Sequence, residues 1–260
     1  MFEANPYPKE VNAALSDFLL RMADTSLVLG HRLSEWCGHG PILEQDIALS
    51  NLALDLIGQA RNWYQLAATQ LGQRQSEDDL AYLRDAGQYR NILLVEQPNG
   101  DFGQTVLRQF FFDAYHYHYL QALTESGDEN VANIAVKSLK EATYHLKWSS
   151  EWVIRLGDGT EESHRRMENA LRELWEFTGE LMTPNETDQL LAVMGLTPDL
   201  NSIRPLWEQD IQSVLAEATL DVPKRTWMQK GGKNGVHTEH LGFLLAEMQF
   251  LQRAYPNCQW

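Results

Sequence analysis

Apolar residues recur at three- and four-residue spacing through almost the whole of this 260-residue chain, and no stretch shows the sustained alternation that marks a half-buried strand. That period allows one fold class, all-α. A first helix is expected from about Val11 to Trp36, with Leu15, Phe18, Leu19, Met22, Leu29 and Leu33 on one stripe and Gly38, Gly40 and Pro41 closing it. A second runs from about Leu43 to Leu71 with Leu52, Leu56, Gln59, Trp63 and Leu66 along one face. An irregular link over 84–101 ends in the turn Gln97-Pro98-Asn99-Gly100. A third helix then reaches about Ser126 and a fourth spans Glu129 to Leu156, with Gly127-Asp128 between them. Shorter helices are expected over Met167–Leu181, after a start at Thr183-Pro184-Asn185-Glu186 with Thr183 as cap, over Leu206–Leu220, and from His237 to about Tyr255.

No repeat, low-complexity run or flexible linker divides this series. Residues 1–15 therefore read as a flexible N-terminal extension, and residues 16–260 as one domain. Within it, a four-helix core over about 16–156 carries packed C-terminal helices over about 163–256.

Charge and cysteine usage narrow the function. Asp and Glu outnumber Lys and Arg by 36 to 21, a formal net charge of −15, which argues against nucleic acid or an anionic membrane as the main partner. The two cysteines, Cys37 and Cys258, stand far apart, so neither a disulfide framework nor a thiolate zinc site is expected. The N-terminus lacks the apolar run of a signal peptide, and no stretch approaches the roughly 20 apolar residues that span a bilayer. A soluble cytoplasmic protein is the expectation.

In four-helix bundles, metal sites are built from carboxylates and carboxylate-x-x-His pairs on facing stripes, because residues three apart on a helix share a face. Polar residues on the interior stripes are therefore the places to look. Asp113 on the third helix and His145 on the fourth stand out, with Gln59 as a milder case.

Four segments carry a family resemblance: Arg32 to Pro41 (RLSEWCGHGP), Asn51 to Asn62 (NLALDLIGQARN), Leu94 to Gly100 (LVEQPNG) and Gly231 to Gly242 (GGKNGVHTEHLG). Together they resemble the PaaC family, non-catalytic ferritin-like subunits of bacterial ring-1,2-phenylacetyl-CoA epoxidase, over about Ser16 to Trp260. The resemblance implies a ferritin-like bundle acting as a structural subunit. The implied partner is a catalytic di-iron protein of the PaaA type, with other members of the complex and self-association also in view. The implied chemistry is epoxidation of the aromatic ring of phenylacetyl-CoA in phenylacetate degradation. Its cofactors, di-iron in the partner and flavin with iron–sulfur in a reductase, lie outside this chain, and no catalytic residue or metal is expected within it.

Laid onto this sequence, the six ligand positions of the catalytic sister protein fall at Ser26, Leu56, Gln59, Asp113, Ala142 and His145. Only Asp113 and His145 keep a ligating side chain, and two ligands do not hold two irons. Without metal charge a cluster of buried carboxylates is costly, so Leu, Ala and Gln in their place lower that cost. Asp113 and His145 then read as remnants that pair with each other or with Tyr117, Ser138 and Gln59. The alternative is a ferritin-like oxidase with a displaced or mononuclear metal, helped by Asp55, Glu141 or His116; these lie off the interior stripes and make poor ligands.

Two further features invite a reading. Glu35, Trp36, His39 and Glu44 flank a tight turn, as a capping and packing unit or as a contact between subunits. The run Lys230-Gly231-Gly232-Lys233-Asn234-Gly235, beside His237 and His240, reads either as a plain turn with Thr238 as cap or as an anion cradle for a CoA phosphate or a partner's acidic surface.

Overall fold

The computed structural model describes residues 7–72, 75–224, 227–256 and 258. Among them there are eleven α-helices and no strand. Helix α1 (Lys9–Ser34) and α2 (Leu43–Gln70) form one long hairpin, and α5 (Phe102–Leu123) and α6 (Glu129–Gly157) form the second. The pairs Gln59–Glu141, Asp55–His145 and Gln45–Trp148 run in opposite order along α2 and α6, so these two helices lie antiparallel and close the bundle. The crossover between the hairpins holds the short helices α3 (Glu77–Tyr82) and α4 (Leu93–Glu96). Two hairpins with one long crossover make the ferritin-like arrangement.

The apolar stripes decide which faces meet. Phe18, Leu19, Leu29 and Leu33 of α1, Leu52, Leu56 and Trp63 of α2, and Phe110, Phe111 and Phe112 of α5 are all fully buried. Gly30 lets α1 and α2 approach: a β-carbon there would lie 3.0 Å from Ile57 Cγ1 and 3.2 Å from the Ala53 carbonyl oxygen. Punctuation follows capping chemistry, with Asp101 accepting from the Gln104 amide at 3.0 Å and Asp128 from the Asn130 amide at 3.0 Å.

The remaining helices are α7 (Glu161–Leu174), α8 (Glu186–Val193), α9 (Leu200–Glu217), α10 (Glu239–Met248) and α11 (Phe250–Ala254), with 3-10 turns at Trp175–Phe177 and Gly179–Met182. Several boundaries differ from expectation, each for a local reason. The first helix starts at Lys9 with Val11, Ala14 and Leu15 buried, so residues 9–15 belong to the packed bundle and not to a flexible extension; residues 1–6 lie outside the described residues. Asn185, not Thr183, caps α8, because its side chain accepts from the Asp188 amide at 3.0 Å while Asp188 accepts from the Asn185 amide at 3.1 Å. Asp199 starts α9 ahead of Pro205 by accepting from the Asn201 amide at 2.9 Å. The C-terminal helix breaks near Gln249, whose side-chain amide donates to the carbonyls of Ala81 and Arg84 at 3.2 and 3.0 Å.

Three buried ion networks fasten the crossover and the C-terminal segments to the bundle. Asp24 of α1 is fully buried and accepts from Tyr64 Oη at 2.5 Å, from the Arg90 amide at 2.8 Å and from the Arg84 guanidinium. Glu96 of α4 accepts from Asn91, His237 and both the amide and hydroxyl of Thr238. Asp188 takes Arg21 at 2.5 Å and Lys233 at 3.1 Å.

Candidate functional site

The six positions Ser26, Leu56, Gln59, Asp113, Ala142 and His145 are all buried, none more than 1% exposed, and line the inner faces of α1, α2, α5 and α6. Helical periodicity alone brings them to one place. Their partners, however, are not the expected ones. Asp113 accepts from Gln109 Nε2 on one oxygen at 2.7 Å and from Ser149 Oγ on the other at 2.8 Å. His145 Nε2 pairs across helices with Asp55 Oδ2 at 3.1 Å. Gln59 donates to Glu141 Oε2 at 2.8 Å, and its carbonyl oxygen lies 2.9 Å from His116 Nε2. Ser138 Oγ and Ser26 Oγ have no partner among the described residues.

The expected pairing of Asp113 with His145, Tyr117, Ser138 or Gln59 is thus corrected: residues one helical turn along or across the α5–α6 seam reach it first. His116 does not lie off the interior as expected; it is only 2% exposed and stacks on Phe112 at 4.8 Å. Its position three residues after Asp113 is the signal in the sequence, since that spacing shares a face. Asp55 and Glu141 are half-buried at the α2–α6 seam, where they hold His145 and Gln59.

Burial dominates the electrostatics here. It pushes the Asp113 carboxyl up to about 6, against the nearby His145 and the hydrogen bonds from Ser149 and Gln109. It drives the His116 imidazole down to about 3, with His145 adding to the effect. A neutral His116 can then donate to the Gln59 carbonyl oxygen without an unpaired charge in the core.

Do these residues fit a pair of irons? Leu56 and Ala142 offer no donor atom, the Gln59 amide is engaged on both sides, and both Asp113 oxygens already accept hydrogen bonds. Among the described residues no three His, Cys, Asp or Glu side chains converge in a metal-binding group. The donor set does not fit a di-iron centre. One detail resembles such a centre: His145 gives Nε2 to a carboxylate and leaves Nδ1 without a partner among the described residues, as a metal-bound histidine oriented by Asp55 would.

The second candidate region is structural. The turn expected to cradle an anion is filled from within: the amides of Gly231 and Lys233 donate to Glu180 Oε1 at 2.8 and 3.3 Å. Lys233 is 4% exposed and spends its ammonium on Asp188 and the Thr183 carbonyl, so it is not free for a phosphate. Burial and the neighbouring Arg21 push its ammonium down to about 8 despite Asp188. His237 places Nδ1 2.8 Å from Glu96 and Nε2 3.1 Å from the Tyr89 carbonyl oxygen. Both neighbours are acceptors, so both nitrogens are satisfied only in the imidazolium form. Burial opposes that charge, but the Glu96 hydrogen bond and charge outweigh it and raise the pKa. Thr238 turns to Glu96 and does not cap α10, the carbonyl oxygen of half-buried His240 accepts from Arg32 at 3.3 Å, and Lys230 is exposed. Trp36 likewise packs, edge-on to Phe102 at 6.0 Å with its indole donating to Thr105 at 3.0 Å.

Comparison with known proteins agrees with the resemblance carried by the four segments. The family described as "Phenylacetic acid catabolic protein" matches residues 1–260. The chain is 49% identical over 246 residues to the C subunit of the 1,2-phenylacetyl-CoA epoxidase of Escherichia coli (strain K12), a match that covers 95% of this chain and 99% of that protein. An all-α bundle with the interior described above, matched from end to end, belongs to the phenylacetic acid catabolic protein family.

Proposed function

We propose that this chain is the non-catalytic structural subunit of a multicomponent di-iron monooxygenase that epoxidises the aromatic ring of phenylacetyl-CoA. The observation that carries the reading is the interior: at four of six ligand positions stand Ser26, Leu56, Gln59 and Ala142, and Gln59, Asp113 and His145 are hydrogen-bonded to neighbouring side chains, Glu141, Gln109 with Ser149, and Asp55. A protein with such a centre contributes stability and orientation to a catalytic di-iron partner. Electrons come to that partner from a reductase with flavin and an iron–sulfur cluster.

The surface that suits this partner is the outward stripe of α2. Leu43, Ile47 and Leu54 are 71, 52 and 66% exposed, and they share a stripe with Gly58 at spacings of four, seven and four residues. A glycine in the middle of a helix costs about 1 kcal/mol relative to alanine. Nothing within 4 Å of this one requires it, whereas close approach of a partner's helix would. Val136 and Tyr144 on α6 are further exposed apolar residues, at 49 and 52%.

Co-expression with the di-iron partner tests the reading by complex mass, metal content and turnover. The partner is expected to be soluble and active only with this chain present, and Leu54→Glu is expected to weaken the complex by about 2 kcal/mol or more. Stoichiometric iron and oxygen-dependent activity in the isolated chain would instead make it an enzyme.

A further inference from the structure

Charge is spread unevenly over the surface of this chain. Acidic side chains outnumber basic ones by 36 to 21, yet the solvent face of α6 is basic. Lys137, Lys140, Lys147 and Arg155 are all exposed and share one side of the helix, at spacings of three, seven and eight residues. At the rise of an α-helix this stripe is about 27 Å long. Three of the chain's seven lysines stand on it.

The helix does not neutralise this stripe, although a carboxylate three or four residues away would do so. Lys140 has Val136, Lys137, Thr143 and Tyr144 at those positions. The one carboxylate so placed for Lys137 is Glu141, which turns to the seam and accepts from Gln59 Nε2 at 2.8 Å. Lys147 meets Glu151 only at 3.9 Å, with both side chains mostly in solvent, a contact of little strength. Arg155 lies over the Trp152 ring, 4.8 Å from its centroid. Half-exposed Val136 and Tyr144 stand among these cations as apolar anchors.

We propose that the α6 stripe docks the protein that brings electrons to the assembled complex, by way of an acidic face on that protein. The inference rests on the structural role given above, with its di-iron partner on α2 and a separate reductase. Helices α2 and α6 lie side by side along the Gln59–Glu141 and Asp55–His145 seam, but their outward faces differ in kind. The apolar α2 face suits a partner that stays. The charged α6 face suits one that comes and goes, because electron carriers use small interfaces and opposite charge speeds their encounter. The net charge of −15 repels such a carrier at long range, but salt damps that field beyond about 8–10 Å, so the local stripe governs contact.

The test starts from the complex of this chain with the di-iron partner, whose mass is measured before any reductase is added. The flavin and iron–sulfur reductase is then titrated in, with affinity read by calorimetry at about 50 and about 300 mM salt. Lys140→Glu combined with Lys147→Glu is expected to leave the complex mass unchanged and to weaken reductase binding about tenfold or more at the lower salt. Wild type is expected to lose affinity as salt rises, and the double variant far less. Lys9→Glu with Lys230→Glu makes the same charge change on exposed lysines elsewhere and is expected to bind as wild type does. Single turnover with dithionite in place of the reductase is expected to be the same for all three. Failure of the wild-type complex to assemble would refute the structural role itself, and this proposal with it. Complex mass lost only in the Lys140 and Lys147 variant would give the stripe to the di-iron partner. Equal reductase affinity for wild type and that variant would leave a solvated helix face; either result overturns the proposal.

Discussion

Asp24 and Asp113 are both buried aspartates on bundle helices, and their surroundings differ in one respect. Asp24 receives the Arg84 guanidinium, a tyrosine hydroxyl and a backbone amide. Asp113 receives only the neutral donors Gln109 and Ser149. Where the fold keeps charge for architecture it supplies a counter-charge, as it does again for Asp188 and Glu96. In the bundle centre Ser26, Leu56, Gln59 and Ala142 bring no charge, and the one aspartate beside them, Asp113, bears the cost of its burial.

One substitution made at both sites probes this contrast. Asp24→Asn leaves Arg84 buried beside a neutral amide, so urea denaturation is expected to show a loss of about 3–5 kcal/mol. Replacing Arg84 with Met in the same chain should recover part of that loss. Asp113→Asn is expected to act with the opposite sign, gaining about 1–3 kcal/mol at pH 8. The sign follows from linkage: a carboxyl raised from 3.8 to about 6 in the fold binds its proton more tightly there, so its cost grows as pH rises through that range. The gain should shrink to nothing below about pH 4. His116 works the other way, staying neutral in the fold down to about 3, so wild type and variant are compared at each pH.

A smaller effect is expected at the C-terminal clasp. The His237 imidazolium is stabilised by Glu96, so its contribution is full below its ordinary value of 6.5 and is lost as pH rises through the raised folded value. His237→Gln is expected to cost about 1–2 kcal/mol at pH 6 and progressively less at alkaline pH, as read from unfolding midpoints. Equal costs at both extremes would mean that shape, not charge, holds the clasp.

The four long helices are legible in the sequence because each is amphipathic over many turns and ends at glycine or a capping aspartate. The crossover is not, because α3 and α4 are short and are held by contacts from distant residues, such as Asp24 to Arg84 and Glu180 to the Leu93 amide. Lys233 shows the same blindness: a glycine-rich turn reads as an exposed cation, and only the fold brings Asp188 and Glu180 to it. Asp55 and Glu141 are hidden from a reading that gives each helix one stripe, whereas α2 meets α1 on one side and α6 on the other. The six interior positions are buried together, since a period of 3.6 fixes which side chains share a face.

The most direct measurement is metal content, by mass spectrometry of elements and by anomalous diffraction, on the chain purified alone and in complex with the proposed di-iron partner. Iron is expected in the partner only, with none bound at Asp113 and His145. Two fully occupied metal ions inside this chain's own bundle would contradict a structural role and make His145, Asp113 and their neighbours the ligands of a working centre.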